Sequence, residues 1–224
     1  NPNLKPQTNY RTELKYQYKQ WLGLGLQYNW FKDIIFTMSD VVDNIYISKP
    51  DNVAKGYIAM VLINLSLHPA KWWDMNANIM AGGMKLNGKA FSTALTSGTY
   101  SVRLRLYNQF NLSHGWSGEA SGDYSGRNIN GQDVINPRYI VYAAVQKKLW
   151  NNKASLKLNM DDIFHSARQN GHSEGVKDGY YTHRGWYDSQ KVSVAFTYRF
   201  GKETFARKRN HNDNAADQEQ ERAK

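Results

Sequence analysis

The chain contains no cysteine, which removes disulfide frameworks, thiolate metal sites and cysteine nucleophiles from consideration. Long hydrophobic runs are missing too. No stretch approaches the roughly 18 apolar residues of a membrane helix, and the mean hydropathy is −0.71. A helical membrane protein is thereby excluded. A β-barrel is not, because its strands show only alternate residues to lipid. The opening Asn1-Pro-Asn-Leu-Lys-Pro6 has neither the basic and apolar regions of an export signal nor an initiator methionine. It reads as the start of a piece of a longer protein, with any export signal outside it. A compact basic patch is also lacking. The formal net charge is +10, yet the cations are scattered apart from Arg207-Lys208-Arg209, so no nucleic-acid partner is expected.

What the chain does have is aromatic rings: 15 Tyr and 7 Trp, a load that suits membrane interfaces or carbohydrate-facing surfaces. It also has period-2 alternation, the mark of strands with one apolar face. Tyr10, Thr12, Leu14, Tyr16 and Tyr18 oppose Arg11, Glu13, Lys15, Gln17 and Lys19. Leu22 to Trp30 alternates with Gly23, Gly25, Gln27 and Asn29, and the pattern runs on through Ile34-Ile-Phe36. From Tyr57 to Leu67 one face is unbroken and apolar. The opposite face begins with Ile58, Met60 and Leu62, then turns polar at Asn64, Ser66 and His68. Similar runs cover Trp73–Ala81, Tyr100–Leu112, Trp116–Tyr124, Tyr139–Val145, Ala154–Met160 and Val192–Phe200.

Most of these strands reach about ten residues, longer than the ~5–6 usual in globular proteins. Their connections alternate. Lys19-Gln20, Pro69–Lys71, Ser113–Gly115 and Asn151–Lys153 are short, whereas Asp40–Asn52, Asn87–Thr99, Asn128–Pro137 and His165–Gln190 read as long loops. Trp21, Trp72, Trp73, Trp116 and Trp150 all sit beside the short turns, where an interfacial aromatic girdle belongs. The expected fold is all-β, an antiparallel transmembrane β-barrel. About nine strands are present, and single-chain bacterial barrels have even numbers, so residues 1–201 read as the C-terminal portion of a larger barrel. Residues 202–224 read as a polar, disordered periplasmic tail. A soluble β-sandwich binding carbohydrate through its aromatics is the alternative outside the membrane.

A resemblance sharpens this. Asn1-Pro-Asn-Leu-Lys-Pro-Gln7, with Tyr10 and Glu13, resembles the Asn-Pro-x-Leu-Lys-Pro-Glu segment of TonB-dependent receptors, with Gln7 standing where Glu is usual. Lys148-Leu-Trp-Asn-Asn-Lys-Ala-Ser-Leu-Lys-Leu-Asn-Met-Asp-Asp-Ile-Phe164 is similar to the segment around their penultimate strand. Val194-Ala-Phe-Thr-Tyr-Arg-Phe-Gly201 is similar to their last one. The likeness, over Asn1 to Gly201, is to the TonB-dependent receptor-like outer-membrane β-barrel family common in Bacteroidetes. It implies a barrel of about 22 strands, an N-terminal plug and a TonB-binding segment outside this chain, and import of a siderophore, haem, vitamin, oligosaccharide or peptide. Phe196, Tyr198 and Phe200 match the terminal aromatics read by the barrel assembly machinery. Outer-membrane lipid, that machinery, TonB and the remaining strands and plug are the implied partners. A passive porin or a surface adhesion barrel without TonB coupling is the alternative.

No constellation for catalysis is evident. His114 beside Ser113 and His68 beside Pro69 lack a neighbour pattern that activates a nucleophile, so no enzymatic activity and no cofactor are expected. His165, His172 and His183, with Glu174 and Asp178 nearby, are weak candidates for a metal or haem-iron contact. Their spacing fits no tight ligand set, which favours a solvated polar hairpin. Arg103, Arg105 and Tyr107 share a polar face and are candidates for lining the lumen, or for pairing with Asp74, Glu119 or Asp123. Asp161-Asp162-Ile163-Phe164 reads as structural, with a change of phase that suggests a β-bulge.

Overall fold

The structure, a computed structural model, describes residues 2–43, 45–90, 93–174 and 180–200. Asn1, Asp178, Gly201 and the tail over residues 202–224, with Arg207-Lys208-Arg209, lie outside the described residues. The described chain is almost wholly strand: β1 (Thr8–Tyr18), β2 (Leu22–Val42), β3 (Ile45–Ala70), β4 (Trp73–Ala90), β5 (Thr93–Asn111), β6 (Trp116–Ser125), β7 (Asn128–Asn130), β8 (Asp133–Ile135), β9 (Arg138–Leu149), β10 (Ala154–Asp161), β11 (Gln169–Ser173), β12 (Thr182–Gly185) and β13 (Lys191–Tyr198). Nine of them form one antiparallel sheet in the order β1-β2-β3-β4-β5-β6-β9-β10-β13, with β1 and β13 at its edges. The other four form a small sheet, β12-β11-β8-β7.

The four short connections fall where the alternation breaks. In the turn after β9, Trp150, Asn151 and Asn152 have φ of 51°, 53° and 68°. Asparagine tolerates this left-handed region, so two of the three positions suit their conformation. The turn after β5 is a single 3₁₀ turn, Ser113–Gly115.

The long connections differ from the loops read in the sequence. Asp40–Asn52 is part of a continued ladder in which Thr37 pairs with Pro50 and Val42 with Ile45. Asn87–Thr99 is likewise mostly ladder, with Asn87 opposite Thr96 and Ala90 opposite Thr93. Backbone pairing holds these extensions, so they carry no apolar alternation to betray them. Residues 128–137 contain β7 and β8, and residues 165–190 contain β11 and β12.

The phase of β2 also changes. A bulge lies between Phe31 and Ile35, with Asp33 at φ 54°, and an inserted residue moves every later side chain to the other face. Ile34, Phe36 and Met38 therefore point inward instead of continuing the outward row of Leu22 to Trp30. There Ile34, Met38, Val53, Ala54 and Leu86 form the core cluster, flanked by Phe31, Phe36 and Met84. The small sheet closes over the same side. The Ser39 amide donates to Gln132 Oε1 at 2.8 Å, Tyr46 meets Tyr181 edge-on, and Val134 is fully buried.

The N-terminal segment pins the bulge. Asn52 accepts from the Lys5 amide at 2.6 Å and donates to the carbonyls of Lys5 and Asp33. Gln7 Oε1 accepts from the Ile35 amide. An Asn52→Ala change is expected to cost about 0.5–1.5 kcal/mol, the net worth of a hydrogen bond whose freed groups water can still reach. In the full-length protein, faster hydrogen exchange at Lys5 and around the bulge would register the loss. Unchanged exchange would mean that the pin is idle.

Candidate functional site

The main sheet has two chemically distinct faces. Cross-strand partners on the outer face run Tyr16–Leu24–Ile63–Ile79–Leu104–Tyr124–Tyr139 in one row, and Gly118–Val145–Leu158–Val194 in another. At the β13 edge Val192, Val194 and Phe196 stay exposed, at 64%, 67% and 58%. Outward positions are uncharged from Tyr57 to Leu67, from Trp73 to Gly83 and from Tyr100 to Phe110, and the next ones beyond Tyr57 and Gly83 are Lys55 and Lys85.

The strands are strongly tilted. The partner row of Leu22, beside the first short turn, passes through Leu65, Ala77, Leu106 and Gly122 to Val141. The last short turn instead follows Leu149, eight residues beyond Val141 (149 − 141) and six strand spacings from the first. With about 3.3 Å per residue and about 4.8 Å between strands, that stagger is a tilt of roughly 40°, within the range of membrane barrels. Ten residue steps at that tilt reach about 25 Å across, the height of an outer-membrane apolar band.

Trp21 and Trp72 lie in short turns, Trp73 and Trp116 open β4 and β6, and Trp150 begins the turn after β9. Their rings cluster: Trp72 stacks on Trp73 at 6.2 Å, both meet Phe110, and Tyr18 meets Trp21. Trp150 lies edge-on to Phe196 at 6.2 Å and to Tyr198 at 5.8 Å, and Phe200 packs on Tyr198. Lys147 is a charge on the outer face. Its ammonium rises over the Trp116 ring and donates to the His114 carbonyl at 2.7 Å, away from the band. Asn108 is a polar one, sheltered at 9% exposure. It accepts from the Trp73 indole and donates to the Ala120 carbonyl. A second aromatic group at the far end, Tyr10–Trp30 and Tyr28–Tyr57, was not singled out from the sequence, although each ring lies at or beside the end of an alternating run.

The inner face is mostly polar and carries several ion pairs. Lys157 reaches both carboxylate oxygens of Glu119 at 2.9 Å, and Arg105 donates to Asp123 at 2.7 Å across the β5–β6 ladder. Asp74 takes His68 and Asn111. Tyr107 stands opposite Ser121. Arg103 has no ion-pair partner among the described residues. It lines a cavity of about 380 Å³ between β3–β5 and the small sheet, together with Ile58, Met60, Met80 and Arg138.

The structure does not bring the three histidines together. Gly171 pairs with His183 and His172 with Thr182, so His172 and His183 sit on opposite faces of the small sheet. His172 contacts Glu174, and His165 lies in the turn after β10 with φ 49°. Among the described residues no group of three His, Cys, Asp or Glu is placed to hold a metal ion.

Asp162 proves to be the hub of the turn that follows β10, and the expected phase change is there: the Ile163 amide donates to the Val141 carbonyl, one residue out of register with the ladder before it. β10 ends at Asp161, and Asp162 itself has φ 45°. Fully buried, its carboxylate accepts from the Ser189 hydroxyl at 2.6 Å, the amides of Ser166 and Ala167, and the Ser166 hydroxyl. Burial raises the carboxyl, but these four hydrogen bonds outweigh it and hold the pKa at about 2. In the small sheet, Tyr181 donates to Asp133, and burial with that carboxylate pushes its phenol upward.

Two outcomes are expected in the full-length protein. Because Asp162 is depressed in the folded state, its contribution of about 2 kcal/mol is complete above the ordinary carboxylate value and is lost as pH falls toward 2. Amide exchange of Ser166 and Ala167 should rise over that window and become pH-flat in Asp162→Asn. On the outer face, Val61→Arg should cost about 2–4 kcal/mol in lipid, against under about 0.5 kcal/mol for inner-facing Asn64→Arg. Equal costs in reversible unfolding from bilayers would contradict the assignment of faces.

No curated protein and no solved structure matches the chain. A tilted antiparallel sheet with an uncharged outer band and a polar inner face is what an outer-membrane barrel requires, and the chain belongs to the outer membrane protein beta-barrel family, whose model matches residues 1–198.

Proposed function

We propose that this outer-membrane barrel protein is the C-terminal barrel portion of a TonB-dependent receptor, importing a scarce or bulky solute without catalysing a reaction. The observation that carries the reading is the inner face, partly covered by an inward-folded small sheet with a cavity beneath it. A passive porin needs an open aqueous lumen; a sheet folded across the polar side suits gated, energy-coupled passage. The likeness of the segments around Lys5, Trp150 and Phe196 to TonB-dependent receptors adds to it.

In this reading the short turns face the periplasm and the long hairpins face outward. Further strands meet the open edges of β1 and β13, completing a barrel of about 22 strands around a plug. The five tryptophans beside the short turns form the periplasmic girdle. Phe196, Tyr198 and Phe200 serve the assembly machinery.

The full-length protein should co-purify with the purified periplasmic domain of TonB and show low conductance in planar bilayers. Failure to bind TonB together with steady open-channel current would replace this reading with a passive porin. Neither binding nor current would point to an adhesion barrel.

A further inference from the structure

Resting on the transport reading, we propose that the cavity beneath the small sheet binds small amphipathic anions: an apolar body carrying one carboxylate or phosphate group.

The argument starts from an anomaly on β3. Its inward positions are apolar at Ile58, Met60 and Leu62 and polar at Asn64, Ser66 and His68. On β4 the facing positions are Met80, Gly82 and Met84. An inner face that only conducts water has no reason to concentrate three thioethers at one place. Flexible, polarizable methionines suit an apolar guest of variable shape. Gly82 leaves the floor between them bare, and a Cβ there would fall on the Ala59 carbonyl oxygen.

Charge enters along one cross-strand row, Leu62–Met80–Arg103–Ser125–Arg138. Arg103 and Arg138 stand two strand spacings apart, about 10 Å between backbones, on the same face and both lining the cavity. Nearby Arg105 and Arg127 have carboxylate partners. Arg103 and Arg138 have none among the described residues, and none of the described residues that line the cavity is acidic. The row therefore runs from apolar to doubly cationic. A guest with its apolar end on Met80 and its oxyanion between the two guanidiniums matches both halves, with amide groups of Asn128 and Gln169 on the opposite wall. A volume of about 380 Å³ is in the range of small-molecule sites.

The test uses the full-length protein in zwitterionic nanodiscs with ¹³C-methyl-labelled methionine. Titration with 2-naphthoate should shift the Met60, Met80 and Met84 methyl signals, with affinity at least tenfold above that of 2-naphthylmethanol. Acetate should move none of them. In the Arg103→Gln/Arg138→Gln double variant the acid should bind no better than the alcohol. Unchanged alcohol binding would show that the cavity still forms. Equal affinities in the native protein would overturn the proposal, as would methyls silent to naphthoate, including silence because another segment of the protein already fills the cavity. TonB association measured on the same preparation separates the cases. If it persists while naphthoate fails, the transport reading stands and only the ligand class falls.

Discussion

Inside a bilayer no water is available to satisfy a backbone amide or carbonyl, and every such group must find its partner within the protein. The main sheet is organised around that constraint. Antiparallel ladders run without interruption from β1 to β13 through the uncharged band, and the irregular backbone, at the β2 bulge, the Asp162 turn and the 3₁₀ turn, lies outside it. Side chains obey the same rule. Asn108, a polar residue within the outer face, has its carbonyl and amide both used, by Trp73 and Ala120. Lys147 escapes by rising to the His114 carbonyl. Lipid tolerates polarity only when it is spent internally.

Such a sheet has no core of its own, because its apolar face looks outward. The packed core forms elsewhere, at the long-hairpin end, where Met38 and Leu86 are each 1% exposed and the hydrophobic effect of water can act. The β2 bulge makes this possible by turning Ile34, Phe36 and Met38 inward as the strand leaves the band. The small sheet completes the covering with Ile129 and Val134, and Asp162 fixes the turn from which its second half departs. Two stabilising regimes thus meet within single strands: lipid exposure in one half of β2 and β3, conventional burial in the other.

This division explains how much was legible in the sequence. Wherever lipid dictates one face, alternation is strict, and the strands from Tyr10 to Met160, the four short turns and the clustered tryptophans could be read directly. The polar face was legible as well, and Arg105 pairs with Asp123 as one of the readings offered. Outside the band no such rule applies. Asp40–Asn52 and Asn87–Thr99 looked like loops because ladder hydrogen bonds are independent of side-chain type. The small sheet escaped notice because three-residue strands such as Asn128–Asn130 are too short for a period. The bulge misled more subtly: Ile34-Ile35-Phe36 is apolar in both phases, so the sequence could not say which face each occupied. Ile58-Met60-Leu62 was visible as an exception, but only the register that places it beside Arg103 gives it a chemical meaning.

The edges carry the argument one step further. Strands that end a sheet in water are normally blunted by inward charges, proline or bulges. β13 has none of these between Val192 and Tyr198, and its ladder with β10 runs unbroken from Asp161–Lys191 to Ala154–Tyr198. On β1 the outward residues Tyr10, Leu14, Tyr16 and Tyr18 are exposed and uncharged, and the inward charges Arg11, Glu13 and Lys15 offset one another in mutual ion pairs. An unguarded edge in lipid leaves amides and carbonyls unsatisfied at several kcal/mol each. Edges built this way are made to be paired, which is what completion by further strands in the proposed receptor demands. Phe196 and Tyr198 hold the Trp150 turn in place from that same strand, and in the proposed receptor its free edge would meet the strand that closes the barrel.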